Sequence, residues 1–118
     1  MVEVEKKIKV HRDVKVVETI ALFDTGSRGS YFSKNFAEKI GYEPFSEPKQ
    51  RKNAKLIGDT TVYIEVEGYI LPERETIGVI EDLRAEAIIG LNIMEKCGIF
   101  IEDDKIRLRY YPPTSIII

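Results

Sequence analysis

The sequence contains an apolar run that leads directly into a carboxylate and a glycine turn. Residues 20–23 are Ile-Ala-Leu-Phe, and Asp24, Thr25, Gly26 and Ser27 follow them. Because burial disfavours the charged form of an aspartate, a carboxylate at the end of a buried strand needs a bonding partner or a chemical function. The simpler alternative is a turn residue that bonds its own backbone, as aspartate commonly does. The first interpretation makes Asp24 a candidate catalytic residue.

A second apolar segment that ends in glycine lies later in the chain. Residues 87–90 are Ala-Ile-Ile-Gly, and a predicted helix with Asn92 near its start follows. Together the two segments resemble the core signature of the retropepsin-like aspartic proteases. In that family an apolar strand ends in Asp-Thr/Ser-Gly, and a later apolar-apolar-Gly segment packs against it. The resemblance covers about residues 8–110. It is closer to the cellular branch, which includes the protease domain of eukaryotic DNA-damage-inducible proteins, than to the retroviral enzymes.

Two positions depart from the retroviral pattern. Retroviral proteases typically place an aspartate just after the Asp-Thr-Gly-Ala stretch and pair it with an arginine after the late glycine. Arg28 and Leu91 stand at these positions here. Both partners differ together, so no charge is left unpaired, but the substrate contacts of these positions do not carry over.

The resemblance implies peptide hydrolysis by two adjacent carboxyl groups. One carboxylate takes a proton from water, and the other, protonated, donates to the scissile carbonyl oxygen, so that the pair shares one proton. The chain offers one such aspartate. The second would therefore come from another copy of the chain, in a C2 homodimer with Asp24 at its axis.

The resemblance also implies roles for the residues that follow Asp24. Gly26 would let the backbone approach the carboxylate closely, and its N–H would bond to the charge. Thr25 would tie the two active-site loops together across the dimer axis. Ser27 would bond the outer carboxylate oxygen or an amide of the polypeptide substrate.

A polar segment between the two motifs falls where family members carry a β-hairpin flap. It spans residues 47–56, and its candidate substrate-binding residues are Lys49, Arg51, Lys52 and Asn53. The simplest interpretation of these charges is a solvated loop, which we favour. The alternatives are a preference for acidic substrates, a mobile lid, or a flap that does not close over a peptide.

Apolar residues near the two motifs are candidates to line pockets for substrate side chains. They are Ile88, Ile89 and Phe32. A peptide would lie extended between the flap and the floor of the site, held largely by main-chain hydrogen bonds.

The pattern along the chain predicts an all-β fold. It would be a closed β-barrel of the retropepsin-like acid protease type, with a short helix after the late Ile-Ile-Gly segment. Ser33 begins one predicted helix, residues 34–40, and Gly98 ends another, residues 91–97. Residues 44–53 are predicted to be an exposed loop or hairpin tip. The predicted strands are residues 2–10, 14–23, 61–67, 69–71, 76–80, 87–89, 99–102 and 106–110.

Composition indicates an ordinary globular protein and excludes several functional classes. The 118 residues, 43% apolar and 32% charged, suffice for a single domain, residues 1–118. A formal net charge of −2 gives no reason to expect a nucleic-acid partner. The sequence shows neither a signal peptide nor a membrane span, so we expect no membrane partner. A single cysteine, Cys97, fits a reducing compartment, and we expect a cytoplasmic protein. With one cysteine and one histidine we expect no metal site and no cofactor.

Other functions compete with the protease hypothesis. The chain could be a non-catalytic domain of the same fold, used for dimerisation or peptide binding, because a fold does not guarantee activity. It could also be a barrel that binds an anionic ligand through its basic loop. A triad of His11, Asp24 and either Ser27 or Ser30 is disfavoured because His11 lies in an alternating surface strand. Residues 116–118, Ile-Ile-Ile, are the candidates for a dimer sheet, the alternative being a disordered tail.

Overall fold

The structure, a computed structural model, describes residues 2–109 of the chain. The tail at residues 116–118, which we considered for a dimer sheet, lies outside the described residues, so its role stays a prediction. The elements in chain order are β1 (Glu3–Arg12), β2 (Lys15–Asp24), β3 (Tyr31–Ser33), α1 (Lys34–Ile40), β4 (Glu43–Arg51), β5 (Ala54–Val66), β6 (Tyr69–Ile70), β7 (Glu75–Ile80), β8 (Ala87–Ile89), α2 (Leu91–Cys97), β9 (Ile99–Glu102) and β10 (Lys105–Leu108).

Six of the strands close into a barrel. They follow the order β1-β2-β8-β3-β7-β5, and pairing of β5 with β1 completes the ring. The β2–β8 and β3–β7 pairs are parallel, and the other pairs of the ring are antiparallel. β4 and β6 pair with β5 outside the ring, while β9 and β10 form a separate two-stranded sheet. The predicted all-β fold with a closed barrel is therefore confirmed.

The core of the barrel is built from alternate residues of its strands. In β1, Ile8 and Val10 are buried, whereas Lys7 and Lys9 are exposed. This period of two is what the pleat of a half-buried strand requires. Each fully buried side chain of this size contributes roughly 1.5–3 kcal/mol relative to an exposed one. Alternation of apolar and charged residues therefore fixes which face of β1 points inward.

The two short helices begin and end at the predicted residues. The Ser33 side chain accepts a hydrogen bond from the Phe36 N–H at 3.1 Å, which caps α1. At the other end, the Gly41 N–H donates to the Ala37 carbonyl oxygen at 2.7 Å. α2 ends at Gly98, whose φ of 68° lies in the left-handed region that glycine adopts readily. Both predicted helices are confirmed.

Residues 44–53, predicted to be an exposed loop or hairpin tip, form the exposed strand and the turn of a hairpin, so the loop alternative is wrong and the hairpin alternative is confirmed. β4 pairs with the first part of β5, and the chain reverses at Lys52 and Asn53. Proline is normally excluded from sheets because it has no N–H to donate, but β4 lies at the edge of its sheet, where Pro44 and Pro48 are tolerated. We call β4, the turn and residues 54–59 the flap hairpin. A hairpin therefore stands at the position predicted for a flap.

A buried carboxylate ties α2 to β7. Lys96 Nζ lies 2.7 Å from Oε1 of Glu75, a residue that is 5% exposed. The second oxygen, Glu75 Oε2, makes no hydrogen bond to any part of the chain that the structure describes. The hydrogen bond with Glu75 raises the pKa of Lys96 above its ordinary value of 10.5. The Lys96 ammonium group therefore provides the counter-charge for this carboxylate.

We predict that Lys96→Gln lowers the free energy of unfolding by about 1–3 kcal/mol, because it leaves the buried Glu75 carboxylate without its cation. The matched control is Lys39→Gln, since Lys39 lies 3.6 Å from Glu86 in an exposed pair. The control should cost less than about 1 kcal/mol. Urea denaturation at pH 7 measures both changes, and equal losses would contradict the assignment. Because the folded pKa of Lys96 is raised, its contribution is complete below pH 10 or so and is lost as pH rises through the folded value.

Candidate active site

Asp24 is the last residue of β2 and lies at the edge of the barrel where β8 also ends. The two strands are parallel, with Phe23 opposite Ile89. Parallel neighbours finish at the same edge of a sheet, so Asp24 and Gly90 leave it side by side. The two apolar motifs of the sequence are therefore neighbouring strands.

Backbone hydrogen bonds fix the loop that follows β2, residues 24–30, which we call the active-site loop. The Leu91 N–H donates to the Ser27 carbonyl oxygen at 2.8 Å, and the Asn92 N–H donates to the Arg28 carbonyl oxygen at 3.0 Å. Both donors belong to the first turn of α2, where N–H groups have no partner inside the helix. The active-site loop supplies the missing acceptors and is held in place by them.

Ser30 adds a side-chain link between the active-site loop and α2. Its hydroxyl oxygen accepts a hydrogen bond from the Gly90 N–H at 2.9 Å and donates to Oδ1 of Asn92 at 2.7 Å. Ser30 is buried, so these two bonds also satisfy a polar group that water cannot reach. Asn92 was recognisable in the sequence at the start of α2, but no motif pointed to Ser30 as the residue that links it to the active-site loop.

Position 90 requires glycine because a side chain would have no room there, and not because of its backbone angles. Its φ is −103°, which any residue can adopt. A Cβ atom built there would lie 2.2 Å from the carbonyl oxygen of Gly29 and 2.5 Å from that of Ser27. Both atoms belong to the backbone of the active-site loop and cannot turn aside as a flexible side chain could. Only glycine lets the loop approach α2 this closely.

The Asp24 carboxylate is buried, with 5% of the residue exposed, and it receives two hydrogen bonds. The Gly26 N–H donates to Oδ1 at 2.8 Å, and Nη2 of Arg84 donates to Oδ2 at 3.0 Å. The same Arg84 nitrogen lies 2.8 Å from Oε2 of Glu3, which stands opposite Asp24 in the pairing of β1 with β2. One backbone dipole and one guanidinium charge thus compensate the burial of the carboxylate.

Arg84 is the site residue that sequence reasoning missed. It lies in the connection between β7 and β8, outside both sequence motifs. No motif surrounds it, and it is far from Asp24 along the chain. The barrel brings the two together because β8, which follows this connection, is the neighbour of β2.

The hydroxyl groups of the active-site loop are occupied by local partners. Thr25 Oγ1 accepts a hydrogen bond from the Val2 N–H at 2.9 Å, and the Thr25 N–H donates to the Val2 carbonyl oxygen at 3.0 Å. Ser27 Oγ donates to the Gly29 carbonyl oxygen at 2.8 Å. The contacts of Thr25 across a dimer axis and of Ser27 with a carboxylate oxygen or a substrate amide stay predictions.

A groove of about 650 Å³ is bounded by the active-site loop and the flap hairpin. Of the flap residues predicted to bind substrate, Arg51 and Lys52 line it. Lys49 instead lies over the ring of Phe45, 5.1 Å from its centroid, and Asn53 at the hairpin tip does not line the groove. The complete lining is Gly29, Ser30, Tyr31, Phe45, Arg51, Lys52, Ala54, Leu56, Asp59, Thr76, Gly78, Ile80 and Asn92.

The apolar residues proposed to line substrate pockets are all buried in the protomer, Ile88 on the face of β8 opposite to Ile89. Ile89 and Phe32 belong to the hydrophobic core, and Ile88 is 6% exposed. None of the three lines the groove. Their side chains are buried in the protomer, and direct contact with a substrate stays a prediction.

The remaining titratable candidates lie elsewhere. His11 Nε2 is 2.8 Å from Oε1 of Glu65, on the facing strands β1 and β5, and makes no hydrogen bond to the active-site loop. Cys97 is buried, and burial raises the pKa of its thiol above the ordinary value. Residues 2–109 contain no group of three or more His, Cys, Asp or Glu side chains arranged to hold a metal ion. None of the helices within that range has the length and apolar character needed to cross a membrane.

Several solved structures share the fold of this chain. No family model and no curated protein matches the sequence. Among solved structures, the retroviral protease-like domain of Ddi1 from Leishmania major matches with a TM-score of 0.66 and 17% identity, over 96% of this chain and 98% of that domain. A retropepsin-like aspartic protease from Rickettsia conorii matches with a TM-score of 0.66 and 18% identity, over 86% of this chain and 78% of its own. The chain has the retropepsin-like fold.

A third retropepsin structure agrees with the other two. EIAV protease, solved with an inhibitor, matches with a TM-score of 0.60 and 14% identity, over 82% of this chain and 89% of the viral enzyme. Identities this low establish the retropepsin-like fold and leave activity to be argued from the site itself. The resemblance predicted from the two motifs is confirmed at the level of the fold.

We predict that Gly90→Ala lowers the free energy of unfolding by about 1–3 kcal/mol, because the new Cβ would push the active-site loop away from α2. Gly29→Ala is the matched control. A Cβ at Gly29 would meet the hydroxyl oxygen of Tyr31 at 2.4 Å, and that side chain can swing aside. Thermal unfolding of both variants measures the difference. An equal or greater cost at Gly29 would show that close packing against the backbone is not the reason for Gly90.

Proposed function

We propose that this retropepsin-like chain is an aspartic endopeptidase in which Asp24 of two copies activates a water molecule. The observation that supports the proposal is the environment of Asp24. Its carboxylate is buried at the end of β2, bonded to the Gly26 N–H, on a loop that α2 holds by backbone hydrogen bonds. The Gly26 bond alone is also what a turn aspartate makes with its own backbone, so the burial of the carboxylate and the attachment of its loop to α2 carry the proposal.

The chemistry requires two carboxyl groups in different protonation states. The ionised group takes a proton from water as the oxygen attacks the scissile carbonyl carbon, and the protonated group donates its proton to the carbonyl oxygen. Within the described residues of one copy, the Arg84 guanidinium separates the Asp24 carboxylate from that of Glu3 by binding both of them, which does not suit a shared proton. We therefore assign the second carboxyl group to Asp24 of a partner in a homodimer.

The substrate we propose is an extended polypeptide. β4 is an edge strand, and an edge strand can pair with a peptide main chain. Beside it the groove offers apolar surface from Phe45, Leu56 and Ile80, which suits the side chains of an unfolded segment. The single cysteine of the chain, Cys97, is compatible with the reducing cytoplasm, where we place the activity.

We predict that the chain cleaves an unfolded protein substrate most rapidly at mildly acidic pH, and that Asp24→Asn abolishes the cleavage. The asparagine amide cannot take a proton from water, so catalysis is lost. It is nearly the same size as the carboxyl group, so the fold should be retained. Activity should fall as pH rises, because a dyad with both groups ionised has no proton to donate. The assay measures fragment release from pH 3 to 8.

The matched control is Asp103→Asn, the same chemical change in the turn between β9 and β10. Asp103 has a φ of 54°, which asparagine also tolerates, so fold and cleavage should be retained. Sedimentation of the same samples tests whether the native chain and Asp24→Asn form equal amounts of dimer. Cleavage that persists in Asp24→Asn contradicts the mechanism. An intact dimer that cleaves nothing favours a non-catalytic dimerisation or peptide-binding domain.

A further inference from the structure

Arg84 binds the candidate catalytic carboxylate directly, and nothing in the mechanism above uses it. We propose that Arg84 covers Asp24 in the free protomer and leaves it to bind an acidic side chain of the substrate, so that the protein selects acidic polypeptides. The part of this inference that concerns cleavage rests on the proposed function, whereas the binding of an acidic side chain by Arg84 can be tested separately.

The first step is that, in a dimer, the Arg84 of each copy cannot stay bound to the Asp24 of that copy during catalysis. Oδ1 of Asp24 is held by the Gly26 N–H, and Oδ2 is covered by Arg84 at 3.0 Å. A working pair of carboxyl groups must hold one proton between them. A guanidinium charge in contact with each group would repel that proton and would also block the approach of water. The active arrangement therefore requires Arg84 to move.

The second step is that Arg84 is free to move. Its side chain is 57% exposed, whereas that of Asp24 is 7% exposed. It lies on a connection between strands and not within the barrel. The half-exposed guanidinium regains hydration when it leaves, but the buried Asp24 carboxylate loses a counter-charge. Asp24 keeps the Gly26 N–H, and in the proposed pair the shared proton would replace the lost positive charge.

The third step is that a carboxylate is the group that suits Arg84 when it leaves. The guanidinium already binds Glu3 at 2.8 Å while it binds Asp24, so it can accept a second carboxylate without losing the first. Its planar set of donors matches a carboxylate better than any neutral group. The groove is lined by two cationic side chains, Arg51 and Lys52, and by one carboxylate, Asp59. This excess of positive charge also favours an acidic peptide.

The test uses cleavage sites mapped in the protein digest. For each site, a peptide with Asp or Glu beside the scissile bond is compared with the same peptide carrying Asn or Gln. We expect the native chain to prefer the acidic peptide on the order of tenfold in kcat/KM, mainly through KM. Arg84→Gln should bring the ratio close to one, and Arg84→Lys should restore part of it. The matched control is Arg107→Gln, which removes an exposed arginine paired with Glu102 and should keep the native ratio. A native ratio near one, or a preference that survives in Arg84→Gln, overturns the proposal.

A binding measurement separates this inference from the proposed function. Asp24→Asn lacks the charge that holds Arg84, so it should bind a fluorescent acidic peptide several-fold more tightly than the native chain does. Adding Arg84→Gln should abolish that gain, and a neutral peptide should show no gain in either variant. If nothing is cleaved but this pattern appears, the protease function fails while the selection by Arg84 stands. Equal binding of acidic and neutral peptides by Asp24→Asn overturns the selection, whatever is cleaved.

Discussion

The parallel pairing of β2 with β8 is the constraint on which the rest of the site depends. It brings the ends of two strands, Asp24 and Gly90, to the same edge of the barrel. The active-site loop then follows one strand and α2 follows the other, so the unpaired N–H groups of the helix meet the carbonyl groups of the loop. Any residue larger than glycine at position 90 would separate them. The position of Asp24 is therefore set by backbone contacts, which side-chain motion does not disturb.

Asp24 itself has two kinds of partner, and the difference between them matters for function. The Gly26 N–H belongs to the same loop as Asp24, which backbone hydrogen bonds attach to α2, so it does not have to move for Arg84 to leave. Arg84 arrives from another loop, is largely exposed, and is shared with Glu3. A buried carboxylate that relied on fixed donors alone would be stable but unable to respond to a ligand. Under the proposed mechanism, one fixed and one removable partner would let Asp24 be stable in the free protein and reactive when a substrate is bound.

Much of the protomer could be predicted because its signals are local. The caps at Ser33 and Gly98 depend on residues within one helical turn, and the strands of the barrel carry apolar alternation of their own. β4 was missed because its order comes from pairing with β5, while its own residues are exposed and include Pro44 and Pro48. Arg84 was missed because its contact with Asp24 exists only when the barrel has closed. Local pattern thus predicts elements, whereas contacts between distant loops need the tertiary structure.

The start of β1 connects the two properties that the proposed mechanism needs, the dimer contact and the freedom of Asp24. Val2 holds Thr25 through its backbone, and the next residue, Glu3, holds Arg84 against Asp24. The Thr25 hydroxyl also donates to the Val2 carbonyl oxygen at 3.3 Å, so it can donate across a dimer axis only by giving up that bond. Because Val2 and Glu3 are adjacent, a shift of the backbone that frees Thr25 also moves the carboxylate that helps to hold Arg84. In the proposed mechanism, association of two copies and uncovering of Asp24 would therefore be linked through a single strand end, and the isolated protomer would be the least reactive form of the site.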